Sequence, residues 1–267
     1  MITDPHTHDP LLFVYDGTLE GLLSCVFYAY LHKLQPHDIV PDYEPLPIFC
    51  AHTYTVPTTA EHSRRVWVAL LKKLSPMGRN TILHVWLSEM REREMLLFRY
   101  ICKNIDYKGK SIETNFADAD VLRCREIAHK VGAEAHKMKE FVRFQEMADG
   151  IYFAPIKPKY DVLSLIESHF RKRFGSLRWI IYDVRRSYGL HCRDGKTEEI
   201  TLDLNEHISI GHGRLSADIV SQQEQMLRQM WQTYFKTLAI PERFNPKVQR
   251  GHMPRRFWSH LTEMQEE

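Results

Sequence analysis

The chain has 267 residues, of which 43% are hydrophobic and 26% charged, with a formal net charge of +2. That is ordinary for a soluble globular protein of one or two domains, long enough to bury a large core without disulfides or metals. The near-neutral balance excludes a uniformly basic protein, so any site for a polyanion has to come from local clustering.

Five cysteines (Cys25, Cys50, Cys102, Cys124, Cys192) lie far apart, with no CxxC pair and no CxxxCxxC cluster. An odd, scattered set fits free, mostly buried thiols in a reducing cytoplasm. No segment approaches 18 consecutive apolar residues and no charged-then-apolar signal opens the chain, so a cytoplasmic protein without membrane contact is expected.

Residues 1–10 include His6-Thr-His8, but no strand precedes this HxH pair, and a disordered terminus is expected. Leu11 to Tyr15 reads as a short buried strand, broken by Asp16-Gly17-Thr18. A helix follows, with Leu19, Leu22, Leu23, Val26, Phe27, Tyr30, Leu31 and Leu34 on one face. The turn leaves backbone N–H groups where an anion can sit. It lacks a glycine-rich fingerprint, so Asp16 reads first as a turn or capping residue. Prolines 36, 41, 45 and 47 mark a surface connection, and Ile48 to Tyr54 a second strand. Thr58-Thr-Ala-Glu61 is a capping box opening a helix to about Leu74, which Pro76-Met-Gly78 ends. Helical periodicity returns from about Thr81 to Ile105, and again from Asp118 to Lys139.

The period then changes. Residues 141–146 alternate, Asp149-Gly150 is a hairpin turn, and Ile151 to Ile156 is a strand. An amphipathic helix spans 160–174, and Trp179 to Val184 is a strong strand. Arg186–Cys192 and Glu198–Leu204 form a hairpin around Asp194-Gly195. A helix of about 18 residues follows, with Val220, Leu227, Met230, Trp231, Tyr234, Phe235 and Leu238 on its apolar side. The expected class is α+β (mixed α/β): N-terminal βα units and helices, then an antiparallel sheet (ββαβββ) with a C-terminal helix and a basic arm. Residues 11–267 form one such domain, or two lobes at 11–117 and 118–267.

Fifteen histidines invite a metal reading, but no HExxH and no Cys/His ligand spacing occurs. Neither a GxSxG elbow nor a GxxxxGK[ST] loop is present. His129 and His136 sit seven apart on one helix, and two ligands do not make a site. Asp183 lies in an apolar strand beside Arg185 and Arg186. A buried carboxylate there needs a partner. It either forms an ion pair with a neighbouring arginine or holds Arg185 for a phosphate. Asp16, His136 and Asp183 are the only candidates for catalysis.

The positive groups form a pattern. Residues 157–186 carry eight lysines and arginines against three carboxylates, with Tyr160, Trp179 and Tyr182 among them. Between Arg243 and Arg256 there are five fixed positive charges (Arg243, Lys247, Arg250, Arg255, Arg256) and no carboxylate, with Phe244, Phe257 and Trp258 alongside. Pro246 and Pro254 prevent one long helix. This arm either packs its rings into the core as a strap or lies along a phosphate backbone with rings against bases, and both can hold.

Five segments resemble a known family: Phe13-Val-Tyr-Asp-Gly-Thr-Leu-Glu-Gly-Leu-Leu23, Ala135-His-Lys-Met-Lys-Glu-Phe-Val-Arg-Phe144, Tyr152-Phe-Ala-Pro-Ile156, Trp179-Ile-Ile-Tyr-Asp-Val-Arg-Arg186 and Met253-Pro-Arg-Arg-Phe-Trp258. The resemblance runs in order over nearly the whole chain. The family is a bacterial one assigned to DNA metabolism or DNA repair, of undetermined biochemistry. Its members typically occur beside a radical-SAM protein of the DNA-modification and repair type, and in some a similar domain is fused to a uracil-DNA-glycosylase-like domain. The resemblance implies a DNA-related role and a radical-SAM partner, and it supplies no catalytic residues. No cofactor is expected in this chain, since iron–sulfur chemistry would belong to the partner.

The expectation is therefore a DNA-binding accessory that presents damaged or modified DNA to a radical-SAM enzyme. Arg143, Arg185, Arg186, Lys247, Arg250, Arg255 and Arg256 would contact phosphates, and Phe257 or Trp258 a base. The rival readings are a glycosylase-like enzyme with a pocket near Asp16, and a protein-interaction module without DNA contact.

Overall fold

The computed structural model describes residues 11–46, 52–202, 215, 219–238 and 240–264. The chain forms two compact units, 1–132 and 133–267, against an expected lobe boundary at 117/118.

The first unit is built on β1 (Leu11–Tyr15), the middle strand of a three-stranded parallel sheet of order β2-β1-β3. Here β2 is Asp38–Pro41 and β3 is His52–Thr55. The stretch containing β2 was expected as a loop because of its prolines. Ile39 and Val40 are nevertheless buried, and Pro41 sits at the end of an edge strand, where no donor to a further neighbour is needed.

Helix α1 (Leu19–His32) begins at the N-cap Thr18, whose Oγ1 accepts from Gly21 N at 2.9 Å. Helix α2 (Ala60–Lys73) is capped by Thr59, one residue later than the box suggested. The periodic stretch after it is two helices, α3 (Pro76–Trp86) and α4 (Arg93–Asp106). Pro76 does not only end the previous helix: with Ser75 as N-cap it occupies the first turn of α3. Between α3 and α4, Ser88 Oγ donates to Val85 O at 2.6 Å and Glu89 takes φ 52°, which stops the helix. The division between the units falls inside α5 (Ala119–Phe141).

The second unit holds a five-stranded sheet in sequential order: β4 (Gln145–Glu146), β5 (Tyr152–Ile156), β6 (Trp179–Asp183), β7 (Tyr188–Arg193) and β8 (Lys196–Ile200). The class is α+β, and the sheet is mixed where an antiparallel one was expected. A helix, α6 (Leu163–Phe174), joins β5 to β6, so those two strands run parallel, while the other pairs are antiparallel. The β7–β8 turn takes positive φ at both Asp194 and Gly195, which suits a tight hairpin.

Alternation along β6 divides the core. Ile180 and Tyr182 pack with Phe153, Leu215 and Val220 on one face. Trp179 turns to the other, against Phe144 and Phe170, with ring centroids 6.2 and 6.4 Å away. At Gly189 a Cβ would lie 2.7 Å from the Ile181 carbonyl oxygen and 2.8 Å from the Tyr182 ring, so the pairing of β7 with β6 requires glycine there.

Two further helices follow, α7 (Gln222–Leu238) and α8 (Pro246–His252), with 3-10 turns at 255–260 and 262–264. The apolar side of α7 is turned largely to solvent. None of its residues is buried, and Met230, Trp231, Tyr234 and Leu238 of its apolar side are exposed.

Phe153 is 1% exposed at the centre of its cluster. Phe153→Ala should therefore cost about 3–5 kcal/mol, read as an earlier urea midpoint for the near-UV signal.

Candidate nucleic-acid interface

The loop after β5, Lys157-Pro158-Lys159, is where the basic elements of the second unit meet. Arg185 Nη1 donates to Lys159 O at 2.8 Å, and Arg186 reaches Pro158 O and Lys159 O at 3.4 and 3.3 Å. Lys159 N donates to Glu134 Oε1 at 2.8 Å. The same Glu134 carboxylate receives both terminal nitrogens of Arg256 in a two-pronged pair, with Nη1 at 2.6 Å. The loop at 157–159 and Arg256 of the C-terminal arm, far apart in sequence, thus meet at Glu134.

Glu134 is the residue the sequence reading missed. It is 3% exposed, on the α5 stripe that also carries Val131, Ala135 and Met138. An acid at an apolar position of a helical period is the signal that marks such a group, because a buried carboxylate must find partners. Burial pushes its pKa up. The Arg256 guanidinium and the Lys159 N–H outweigh that and hold it below the ordinary carboxylate value.

Several predicted contact residues are occupied. Asp183 is fully buried and pairs with Arg186 Nη1 at 2.6 Å, while the backbone N–H groups of Arg185 and Arg186 donate to its other oxygen. Burial lifts its carboxyl above the ordinary value even against those donors. The partner is Arg186, not the same-face Arg185, because the strand ends at Asp183 and the chain turns. Arg143 donates to Glu263 at 2.8 Å. Phe257 is buried 4.9 Å from the Phe141 ring, and Arg256 lies over it. Trp258 is half-buried, with Nε1 donating to Met253 O at 2.9 Å. The arm is therefore a strap at 256–258.

Other cations of the arm are not so occupied. Arg243, Lys247, Arg250 and Arg255 are exposed, and none has an acidic partner among the described residues. Asn245 caps α8 by accepting from Lys247 N and Val248 N, which sets Lys247 and Arg250 on a short fixed helix. Lys157, Lys159 and Arg185 are exposed at the loop. Phe244 is 68% exposed.

The catalytic candidates are locally engaged. Asp16 belongs to the first unit, and Thr18 N and Oγ1 donate to it at 3.0 and 2.7 Å. Burial acts to raise its pKa, but these bonds hold it below the ordinary value. His136, in the second unit, is exposed and lies 3.1 Å from Glu140. Among the described residues no group of three or more His, Cys, Asp or Glu side chains is placed to hold a metal ion. A groove of about 510 Å³ between α1 and α4 is lined in part by Tyr30, Lys33, Arg99 and Lys103. Asp120 and Asp118 already neutralise Arg99 and Lys103 there. Within the described residues no helix is long and apolar enough to cross a membrane.

These features define an α+β protein with a cationic strap anchored on a buried acid. Residues 91–263 match the family described as a domain of unknown function, DUF4130, and the chain belongs to that family. No curated protein matches the chain.

Removing Arg256 leaves the buried Glu134 without a counter-charge, with the Lys159 N–H as its remaining donor. Arg256→Ala should destabilise the second unit by roughly 2–3 kcal/mol, less than a fully buried pair because Arg256 is 41% exposed. The pH signature is specific. A depressed carboxylate contributes fully above its ordinary value of 4.5 and loses that contribution as pH falls through its lower folded value. The stability gap between wild type and Glu134→Gln, measured by urea unfolding across pH 7 to 3, should therefore narrow below about 4.5.

Proposed function

We propose that this protein binds DNA in repair or modification, in the cytoplasm, and presents damaged or modified DNA to a radical-SAM enzyme that performs the chemistry. The observation that carries DNA binding is the contrast within one arm. Arg256 and Phe257 are committed to the fold, while Arg243, Lys247, Arg250 and Arg255 are exposed without carboxylate partners among the described residues. Fixed, unneutralised guanidinium and ammonium groups on a short helix and turn suit a phosphate backbone. Lys157, Lys159 and Arg185 are further exposed cations at the loop that meets the strap through Glu134. Because Phe257 is buried, base contact falls to Phe244 and to the half-exposed Trp258, over which Arg255 sits at 5.7 Å. The radical-SAM partner rests on the resemblance of the five segments quoted above.

The test is DNA binding across a salt series with single-stranded, duplex and mismatched probes. Lys247→Ala/Arg250→Ala/Arg255→Ala spares the Arg256 anchor and should stay folded. It should flatten the slope of log affinity against log salt by about 2 to 3 units. Wild-type protein with no salt-sensitive affinity for any DNA form would remove the reading.

A further inference from the structure

Helix α7 is amphipathic the wrong way round for a helix packed on its own unit. The side turned to the body is polar. Arg228 donates to Gln145 at 2.6 Å and Gln232 donates to the Thr262 carbonyl oxygen at 3.1 Å, while Trp231 lies at the border of the two sides, its ring exposed and its indole N–H donating to Glu263 at 3.2 Å. The side turned to solvent is apolar. Met226, Leu227, Met230, Trp231, Tyr234 and Leu238 are between 44% and 58% exposed. A contiguous apolar face of this kind marks an interaction site. We infer that α7 is the interface of a homodimer, in which a second copy of the chain covers this face.

The occupant follows from spacing, area and charge. Met226, Met230, Tyr234 and Leu238 recur every four residues, which is the ridge used when two helices pack. The row is symmetric about Gln232. An antiparallel pairing on a two-fold axis there sets Met226 of one copy against Leu238 of the other, and Met230 against Tyr234. That self-complementary arrangement is the one an isologous dimer requires. Half-exposed side chains of about 200 Å² each give on the order of 600 Å² per copy for these six. Two copies reach about 1,200 Å², the lower edge of the range for specific interfaces.

Charge selects the antiparallel arrangement. Lys236, Arg243, Lys247 and Arg250 all lie toward the C-terminal end of the stripe, whereas the N-terminal end carries the neutral, exposed Gln222 and Gln223. Antiparallel packing sets each basic end against the other copy's neutral end. A helix of 17 residues keeps the two basic ends about 25 Å apart, beyond the screening length of roughly 8–10 Å. Parallel packing would place Lys236 on Lys236.

The experiment is sedimentation equilibrium of the full chain from about 1 to 100 μM, the affinity range such a small interface permits. Wild type should approach twice the 31.6 kDa of one chain. Met230→Asp/Tyr234→Asp should stay at one chain with an unchanged far-UV spectrum, since neither side chain is buried in the fold. A wild-type mass of one chain throughout, including a chain that associates only with a different protein, overturns the dimer. A dimer that persists in the double variant overturns its assignment to α7.

Discussion

The second unit depends on one buried carboxylate. Glu134 sits on the apolar side of a long helix, where an unpaired charge would cost several kcal/mol. It is stabilised because three donors converge on it: two guanidinium nitrogens of Arg256 and the N–H of Lys159. That requirement links three stretches distant in sequence: α5, the loop after β5, and the C-terminal strap. The loop in turn receives Arg185 and Arg186 through its carbonyl oxygens, and Arg186 neutralises the buried Asp183. The result is a chain of ionic and backbone hydrogen bonds in which each buried acid has its own arginine.

This arrangement sorts the cations of the chain into two kinds. Arg143, Arg186 and Arg256 each meet a carboxylate that is itself largely buried, and their charge is spent on the fold. Lys247, Arg250 and Arg255 meet none among the described residues, and their charge remains available to a ligand. In sequence the two kinds are indistinguishable: Arg255 and Arg256 are adjacent, yet one faces solvent over Trp258 and the other is clamped to Glu134. Only the position of the opposing acid separates them, and that acid lies 122 residues away.

Local patterns were legible where the chemistry is local. The strand at Leu11–Tyr15, the Asp149-Gly150 and Asp194-Gly195 turns and the helix at 163–174 follow from periodicity and turn residues. Asp183 was readable as a buried acid needing an arginine. The arginine it meets is Arg186, because the strand stops at Asp183 and alternation no longer governs direction beyond it. Strand β2 was hidden because Pro36, Pro41, Pro45 and Pro47 outweigh a two-residue apolar core, Ile39-Val40, in any local count. Long-range parallel pairing with β1 supplies what the local signal lacks. Helix α7 shows where the local signal stops. Its periodicity located the helix, but periodicity identifies an apolar side without saying which surface that side meets.

A strap that is rigid at one end and free at the other has a consequence for binding. Ordering long cationic side chains and their backbone on a ligand costs conformational entropy at every residue immobilised. Phe257 packed on Phe141 and Arg256 clamped to Glu134 fix the backbone immediately beside Arg255, and the Asn245 cap fixes the helix that carries Lys247 and Arg250. Much of that cost is thus met on folding, before any polyanion arrives. The strap and the nucleic-acid readings of the arm are therefore not competitors. The buried half of the arm holds the backbone beside the exposed half, so under the proposed DNA-binding reading losing the Glu134 anchor would weaken phosphate contacts that Glu134 itself would never touch.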